Sequence, residues 1–448
     1  MSHRAFLALF LLFIPPTRAA TFVTAEDSLT HVLGAEYAAG GLRTLLLGAH
    51  WREAWTTPIT VPVLPLESAS RHWTVLREAG GVHTRKLHLR DAAGRRWLFR
   101  AINLDPAHVW RPDLRKAIVT RAMQDQVTTQ LPFAPVVAAS LERAAGLPVP
   151  QPRIVALPDS PLLGPFRTRF AGLVGTLAPE VADDTADTDG VHRNVVGTYA
   201  MFDDLHRHAG SRVDARAYAR ARLMDILLGD WDRDAEQWRW RRRSDSGRTT
   251  WIPLPDDRDQ AFSLFDGVIP GILERVLRPL QGYDSEDPRI LHLTWTGRHL
   301  DRRLLSSLAP TTWDTLAAEI VRKNDDAVLA AAVSLLPATW EEEIGPRLLA
   351  LIARRRAQLP GLAAEYARLL SRTVDVHGSM DAERFLVQRN ADGSVTVTVT
   401  CGASATLFHR RFDPDETEEI RLFAHGGADT VLVTGESRRS VDVRAVGG

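Results

Sequence analysis

The chain has 448 residues, 45% of them apolar and 25% charged, which is too long for one core and too apolar for a disordered polymer. Lys plus Arg equals Asp plus Glu at 55 each, so no net field draws it to nucleic acid or to anionic lipid. The single cysteine, Cys401, excludes an internal disulfide, and the fold has to rest on its packing.

The first twenty residues, MSHRAFLALFLLFIPPTRAA, have a basic start, an apolar run from Ala5 to Ile14 and small residues at the end. The run is too short to span a bilayer, and Pro15 and Pro16 break it. This predicts an export leader over 1–20, cleaved near Ala19 or Ala20, and a periplasmic mature chain. Later apolar runs carry Arg or Asp, so no transmembrane segment is expected in the mature chain.

Residues 21–75 hold EYAAGGLRTLLLGAHWREAW, one or two amphipathic helices, and then the extended, Pro-punctuated VPVLPL. Together they predict an N-terminal wrap docked on the rest. Over 76–157 the pattern turns to strands: GGVHTRKLHLRD alternates through Leu87 and Leu89, and RRWLFRAIN through Trp97 and Phe99. A long helix is predicted from about Asp113 to Ala145, ended by Gly146. PRIVALP reads as a strand and LGPFRTRFAG as another.

Residues 158–375 read as mainly helical, with an aperiodic acidic loop over 178–190 and nearly continuous helix over 311–370, broken at Pro337, Pro346 and Pro360. Residues 380–448 return to strands as a separate β module. FLVQRNADGSVTVTVT predicts a hairpin about Asp392-Gly393, and EEIRLFAHGGADTVLVTG a second one turning at Gly426-Gly427-Ala428-Asp429.

The chemistry-bearing residues concentrate in DILLGDWDRDAEQWRWRRRSDSGRTTWIPLPDDRDQAF, residues 225–262. A helix end breaks at Gly229 into a loop with Asp230, Asp232 and Asp234. Trp238 and Trp240 alternate on one side of the turn Ser-Asp-Ser-Gly and Trp251 lies on the other, which reads as the core of a hairpin. Arg239, Arg241, Arg242 and Arg243 read as its solvated face. Asp256, Asp257 and Asp259 close the stretch.

Asp232 and Gln237 stand five apart, the spacing of base and metal-binding amide in the catalytic loop H-R-D-x-x-x-x-N. The order of elements resembles a protein kinase over roughly residues 76–300. GDWDRDAEQ is similar to the N-x-D-x-H-x-x-N loops of HipA-type kinases and of secretory-pathway, Golgi casein-kinase-like enzymes. The motifs GDWDR…QW and DRDQAF also resemble an exported bacterial family in which an outer-membrane surface-antigen barrel sometimes follows in the same polypeptide.

The resemblance implies an α+β, atypical kinase-like core with a small β lobe and a larger helical lobe, followed by the β module. It implies metal-dependent phosphoryl or nucleotidyl transfer with Asp232 as base. Gln237, Asp257 and Asp259 would be ligands of Mg²⁺ or Mn²⁺, with Asp256 also fitting the metal position, and ATP the donor. Gly80, Gly81 and Thr84 would approach the phosphates, Arg100 would stand in place of the phosphate-binding Lys, and Asp125 would pair with it. Arg100 for Lys, Gln237 for Asn and Asp234 for His depart from the pattern. They define the alternative, a catalytically inactive periplasmic module working with an outer-membrane barrel or another envelope protein.

Overall fold

A computed structural model of the chain describes residues 28–68, 71–80, 85–102, 126–180, 194–245, 247–276, 280–402 and 405–447. The leader, Gly81, Thr84, Asp125 and most of the acidic loop lie outside these residues.

Strand β1 (Ser28–His31) pairs antiparallel with β2 (Ile59–Pro62) around helices α1 (Gly41–Leu47) and α2 (Arg52–Thr56). Buried Trp51 and Trp55 pin this wrap down, each indole N–H reaching a carbonyl: Phe262 O at 2.8 Å and Gln130 O at 2.9 Å. A short ribbon, β3 (Glu67–Ser68) with β4 (Arg71–His72), leads into the β lobe.

The β lobe is one antiparallel sheet of β5 (Thr74–Gly80), β6 (Arg85–Arg90), β7 (Arg96–Ala101), β8 (Arg153–Ala156) and β9 (Val174–Pro179), in the order β5-β6-β7-β9-β8. Its alternation turns Leu87, Leu89, Phe99 and Leu177 into a small core with Trp73, Leu163 and Phe170. Lys86, opposite Arg100 in the ladder, and His88 are thereby left on the other face.

Two expectations fail here. Among the described residues, the helix expected from about Asp113 to Ala145 is a 3-10 turn at 126–129 followed by α3 (Ala134–Ala144), and residues 113–125 lie outside them. Pro132 disfavours helix at the residue before it, and Phe133 takes a left-handed φ of 61° as the chain enters α3. LGPFRTRFAG is a 3-10 turn and one helical turn, α4 (Arg167–Phe170), not a strand. The four-residue spacing that sets Phe166 edge-on to Phe170 is helical.

The helical lobe begins with β10 (Val195–Gly197), α5 (Thr198–Arg207), β11 (Ser211–Val213) and α6 (Ala215–Leu228). The expected hairpin follows as β12 (Trp238–Asp245) and β13 (Arg248–Pro255), central in a sheet of order β10-β12-β13-β11. Trp238, Trp240 and Trp251 are buried, and Arg241, Arg242 and Arg243 are exposed. Thr198 Oγ1 accepts from the Trp240 indole at 3.0 Å, and Asp204 from Trp251 at 2.8 Å.

Helices α7 (Val268–Val276), α8 (Ile290–Leu293), α9 (Arg298–Leu304), α10 (Pro310–Lys323), α11 (Asp326–Val333), α12 (Ala338–Glu343) and α13 (Gly345–Ser371) complete the lobe. Pro337 caps α12, and Pro346 sits in the first turn of α13, where its missing N–H costs nothing. Pro360 does not break α13. Leu359, Leu362 and Ala363 on either side of it are buried, and that packing outweighs a local cost of about 3 kcal/mol.

The β module comprises β14 (Thr373–His377), β15 (Glu383–Arg389), β16 (Val395–Cys401), β17 (Ala405–Phe412), β18 (Glu419–Phe423), β19 (Thr430–Thr434) and β20 (Asp442–Val446). The hairpin β15–β16 is as expected. The second hairpin is absent: β18 lies parallel between β14 and β20, while β19 crosses to the other sheet and lies parallel to β15. The chain coils between two sheets around Val376, Phe385, Val397, Ile420 and Leu422, and Gly426–Asp429 is a crossover rather than a hairpin turn. The fold is thus α+β, a β lobe on a helical lobe with a separate all-β module behind them.

Candidate functional site

Helix α6 sets the site. Asp214 caps its first turn, and Gly229, at a left-handed φ of 66°, ends it and releases the acidic loop. A Cβ at residue 229 would lie 2.4 Å from the Tyr283 ring, so glycine is required for space as well.

The end of α6 carries a buried charge network. Arg222 holds both oxygens of Asp301, at 2.8 and 3.0 Å, and Asp225 at 2.5 Å. Arg258 donates to Asp225 at 2.5 Å, to Asp230 at 2.9 Å and to Glu142 on α3 at 3.0 Å. All six side chains are 5% exposed or less, where only paired charges are tolerable. Burial pushes the carboxyls of Glu142 and Asp230 upward, whereas at Asp225 burial is outweighed by Arg258, Arg233 and Arg222. Asp230 and Arg258 are therefore structural, joining the lobes beneath the loops.

Arg233, fully buried over the Trp238 ring, ties the two acidic loops together. Its guanidinium donates to the carbonyls of Asp256 at 2.9 Å, Asp257 at 3.0 Å and Gln237 at 3.0 Å. Asp256 N also donates to Gln237 O at 3.0 Å. The backbone of Gln237 and of the pair Asp256-Asp257 is thus brought together.

These loops form one wall of a cleft of about 430 Å³ between the lobes. Lys86, His88, Arg100 and Thr176 of the sheet form the opposite wall, with Glu142, Arg239, Asp256 and Asp257 lining the loop side. Arg100 bridges it, donating to Asp256 at 2.6 Å and to Asp257 at 3.0 Å. These two carboxylates hold Arg100, and Asp125, the partner expected for it, lies outside the described residues. The Lys86 side chain makes no hydrogen bond or ion pair with any described residue. Burial, and then Arg100, lowers its pKa, with Asp257 and Asp256 acting the other way.

Asp257 takes a left-handed φ of 59°, a strained conformation for a residue with a side chain and typical of ligand-facing turns. Asp259 N donates to Asp257 Oδ1 at 3.3 Å, and Asp259 lines an adjoining crevice with Arg100 and Gln130. Asp232 is half-buried beside them. Burial, then Asp230 and Asp234, raises its carboxyl from 3.8 to about 6, against Arg233, with Asp257 adding to the rise. Among the described residues no group of three or more His, Cys, Asp or Glu is set to hold a metal. Gly80 ends β5 and pairs with Arg85 across the expected turn.

Sequence reasoning missed Lys86, Glu142, Arg233 and Asp301 as members of the site. Lys86 had a signal: in RKLHLR the apolar Leu87 and Leu89 face the core, which sends Lys86 and His88 to the cleft.

No protein-family model matches the chain, and no curated protein matches it. Among solved structures it is similar to the proinflammatory kinase CtkA of Helicobacter pylori, at 13% identity and TM-score 0.36, over 66% of this chain and 96% of that one. It is similar to Rio2 kinase from Chaetomium thermophilum, solved as an ADP/Mg²⁺-phosphoaspartate complex, at 14% identity and TM-score 0.30, over 64% and 72%. HipA of Shewanella oneidensis MR-1 matches at 10% identity and TM-score 0.31, over 78% and 76%. Identities and scores this low leave the reading of the site to its own geometry.

Proposed function

We propose that the cleft binds a nucleoside triphosphate and that the chain transfers its terminal phosphoryl, or its nucleotidyl, group to a hydroxyl acceptor in the periplasm. One observation carries this reading. A desolvated Lys86, whose side chain has no partner among the described residues, and the Asp256–Asp257 pair face each other across a nucleotide-sized cleft, and a carboxyl with a pKa near 6 stands in the neighbouring loop.

Lys86 and Arg100 supply fixed positive charge on the sheet side, where phosphate oxygens would lie. Asp232, ionised at neutral pH yet basic enough to accept a proton, takes it from the acceptor hydroxyl as the new P–O bond forms and the old one breaks, releasing the nucleoside diphosphate in phosphoryl transfer or pyrophosphate in nucleotidyl transfer. The donor set fits a divalent cation in kind, since Asp257, Asp259 and Gln237 offer hard oxygen ligands. When bound, such an ion would neutralise charge on the phosphates; Arg100 already occupies Asp256 and Asp257 and has to yield them.

That last contact favours a second reading, a nucleotide-free scaffold in which Arg100 does a metal's work of holding the loop, with the chain serving an outer-membrane barrel or another envelope protein. Titration calorimetry with a non-hydrolysable ATP analogue and Mn²⁺ separates the two. Binding that is weakened at least about tenfold in Lys86→Met supports transfer. No heat at millimolar ligand would leave the scaffold.

A further inference from the structure

A cavity of about 180 Å³ lies where the β module meets the helical lobe, and it shares no lining residue with the inter-lobe cleft. Its volume is below the roughly 300–1,000 Å³ of pockets for drug-sized ligands, so it suits an ion or the end of a larger molecule. Three arginines line it from three elements: Arg212 on β11, Arg248 on β13 and Arg303 on α9. None of the three has a carboxylate partner among the described residues.

The guanidinium of Arg303 is half-buried and stands 4.5 Å from the Phe202 ring. Burial lowers its pKa, and no carboxylate offsets the effect. Arg212 Nε donates to the neutral Thr250 hydroxyl at 3.3 Å, and Arg248 is exposed. The acid in the lining, Glu383, is already engaged: its two oxygens accept from Ser379 N and Ser379 Oγ, each at 2.8 Å. On the module side the lining holds His377, whose Nδ1 lies 3.0 Å from His425 Nε2. Burial, and then Arg303, lowers the His377 pKa to about 3, so the field of Arg303 reaches this wall with no carboxylate to cancel it.

Elsewhere the chain gives its buried arginines a complement. Arg222 and Arg258 meet carboxylates, and Arg355 meets carbonyls. A cation drawn out of water is costly without such a group, and at Arg303 the chain supplies none.

We propose that this cavity binds a phosphate-type oxyanion, free or as a phosphate monoester, with Arg303 as its central contact and Arg212 and Arg248 beside it. A tetrahedral dianion offers enough acceptors for three guanidiniums, whereas a carboxylate has two oxygens. Contacts come from the helical lobe through these arginines and from the module through His377 and Thr406, so the bound anion joins the two. The cavity is separate from the cleft, and the inference stands whether or not nucleotide binds.

Titration calorimetry with inorganic phosphate at constant ionic strength tests it, with glycerol 3-phosphate as the ester arm and acetate as the carboxylate arm. One phosphate per chain is expected, with affinity unchanged in Lys86→Met and weakened at least about tenfold in Arg303→Met and in Arg248→Ser. Arg303→Met is expected to keep or raise the wild-type urea midpoint in phosphate-free buffer, because it removes a desolvated charge that pairs with nothing. Arg248→Ser alters an exposed position and tests the contact without touching the fold. Tighter binding of glycerol 3-phosphate than of phosphate would assign the site to esters, and the reverse to the free ion. No heat at about 10 mM phosphate, or acetate binding as tightly as phosphate, would overturn the proposal. So would phosphate binding that is lost in Lys86→Met and kept in Arg303→Met, since the anion would then belong to the cleft.

Discussion

Replacing Asp232 by Asn should make the protein more stable at neutral pH while removing the proposed transfer activity. The folded-state carboxyl titrates at about 6 against 3.8 for the free side chain, because burial and the neighbouring Asp230 and Asp234 oppose its charge. A carboxyl raised in this way favours the folded state at low pH, and that advantage is lost as pH climbs from about 4 to about 6. Above pH 7 the folded state bears the whole penalty, about 3 kcal/mol for a gap of about two pKa units. Asp232 is partly exposed, and solvent screening reduces the figure to about 1–2 kcal/mol.

The asparagine variant carries no charge and should gain that amount at pH 7.5, with the gain shrinking through pH 6 to 5 and vanishing at pH 4. Urea unfolding of both proteins at these four pH values measures it. A variant less stable than wild type at pH 7.5, or a difference that does not change with pH, would refute the assignment of the strained carboxyl to Asp232. Loss of transfer in the same stabilised variant would identify a residue kept for chemistry at the expense of stability.

Arg258→Met should cost about 3–5 kcal/mol in urea unfolding, because it strands Glu142, Asp225 and Asp230 in the interior. Arg258→Lys should recover little of it, since one ammonium cannot reproduce three directed contacts. Trp240→Phe removes the indole N–H that reaches Thr198 and should cost about 1–3 kcal/mol, seen as an earlier thermal midpoint with nucleotide affinity unchanged. If phosphoryl transfer is measurable, its rate should rise with pH through about 6 and then level, as Asp232 loses its proton. A flat profile between pH 5 and 8 would remove it as the base.

How far the sequence could be read followed from the range of the forces involved. The tryptophan hairpin was legible because period-two alternation and a Ser-Asp-Ser-Gly turn are local signals, and the structure pairs Trp238 with Pro255 and Asp245 with Arg248 accordingly. The β sheet was legible for the same reason. The coil of β18, β19 and β20 was not, because alternation fixes which side chains face inward but not which strand lies alongside. Gly426–Asp429 looks the same in a hairpin and in a crossover until a partner sheet is known. Pro360 was over-read because its penalty is local and its compensation, Leu359 and Leu362 in the core, is tertiary.

At the site, the loops were legible from residue type, since clustered carboxylates announce themselves. Their roles divided in a way composition could not show. Asp230 and Asp232 are two positions apart, yet one is locked under Arg258 and the other stands half-exposed with its carboxyl raised to about 6. Arg233 is the bond between both loops.

The helix α13 has a structural consequence. At 1.5 Å per residue its 27 residues make a rod about 40 Å long. One end runs into β14 of the module; partway along, buried Arg355 donates to Ile226 O at 3.3 Å and to Tyr283 O at 3.2 Å, one turn before the acidic loop opens. One continuous element therefore joins the β module to the root of the loop that bears Asp232.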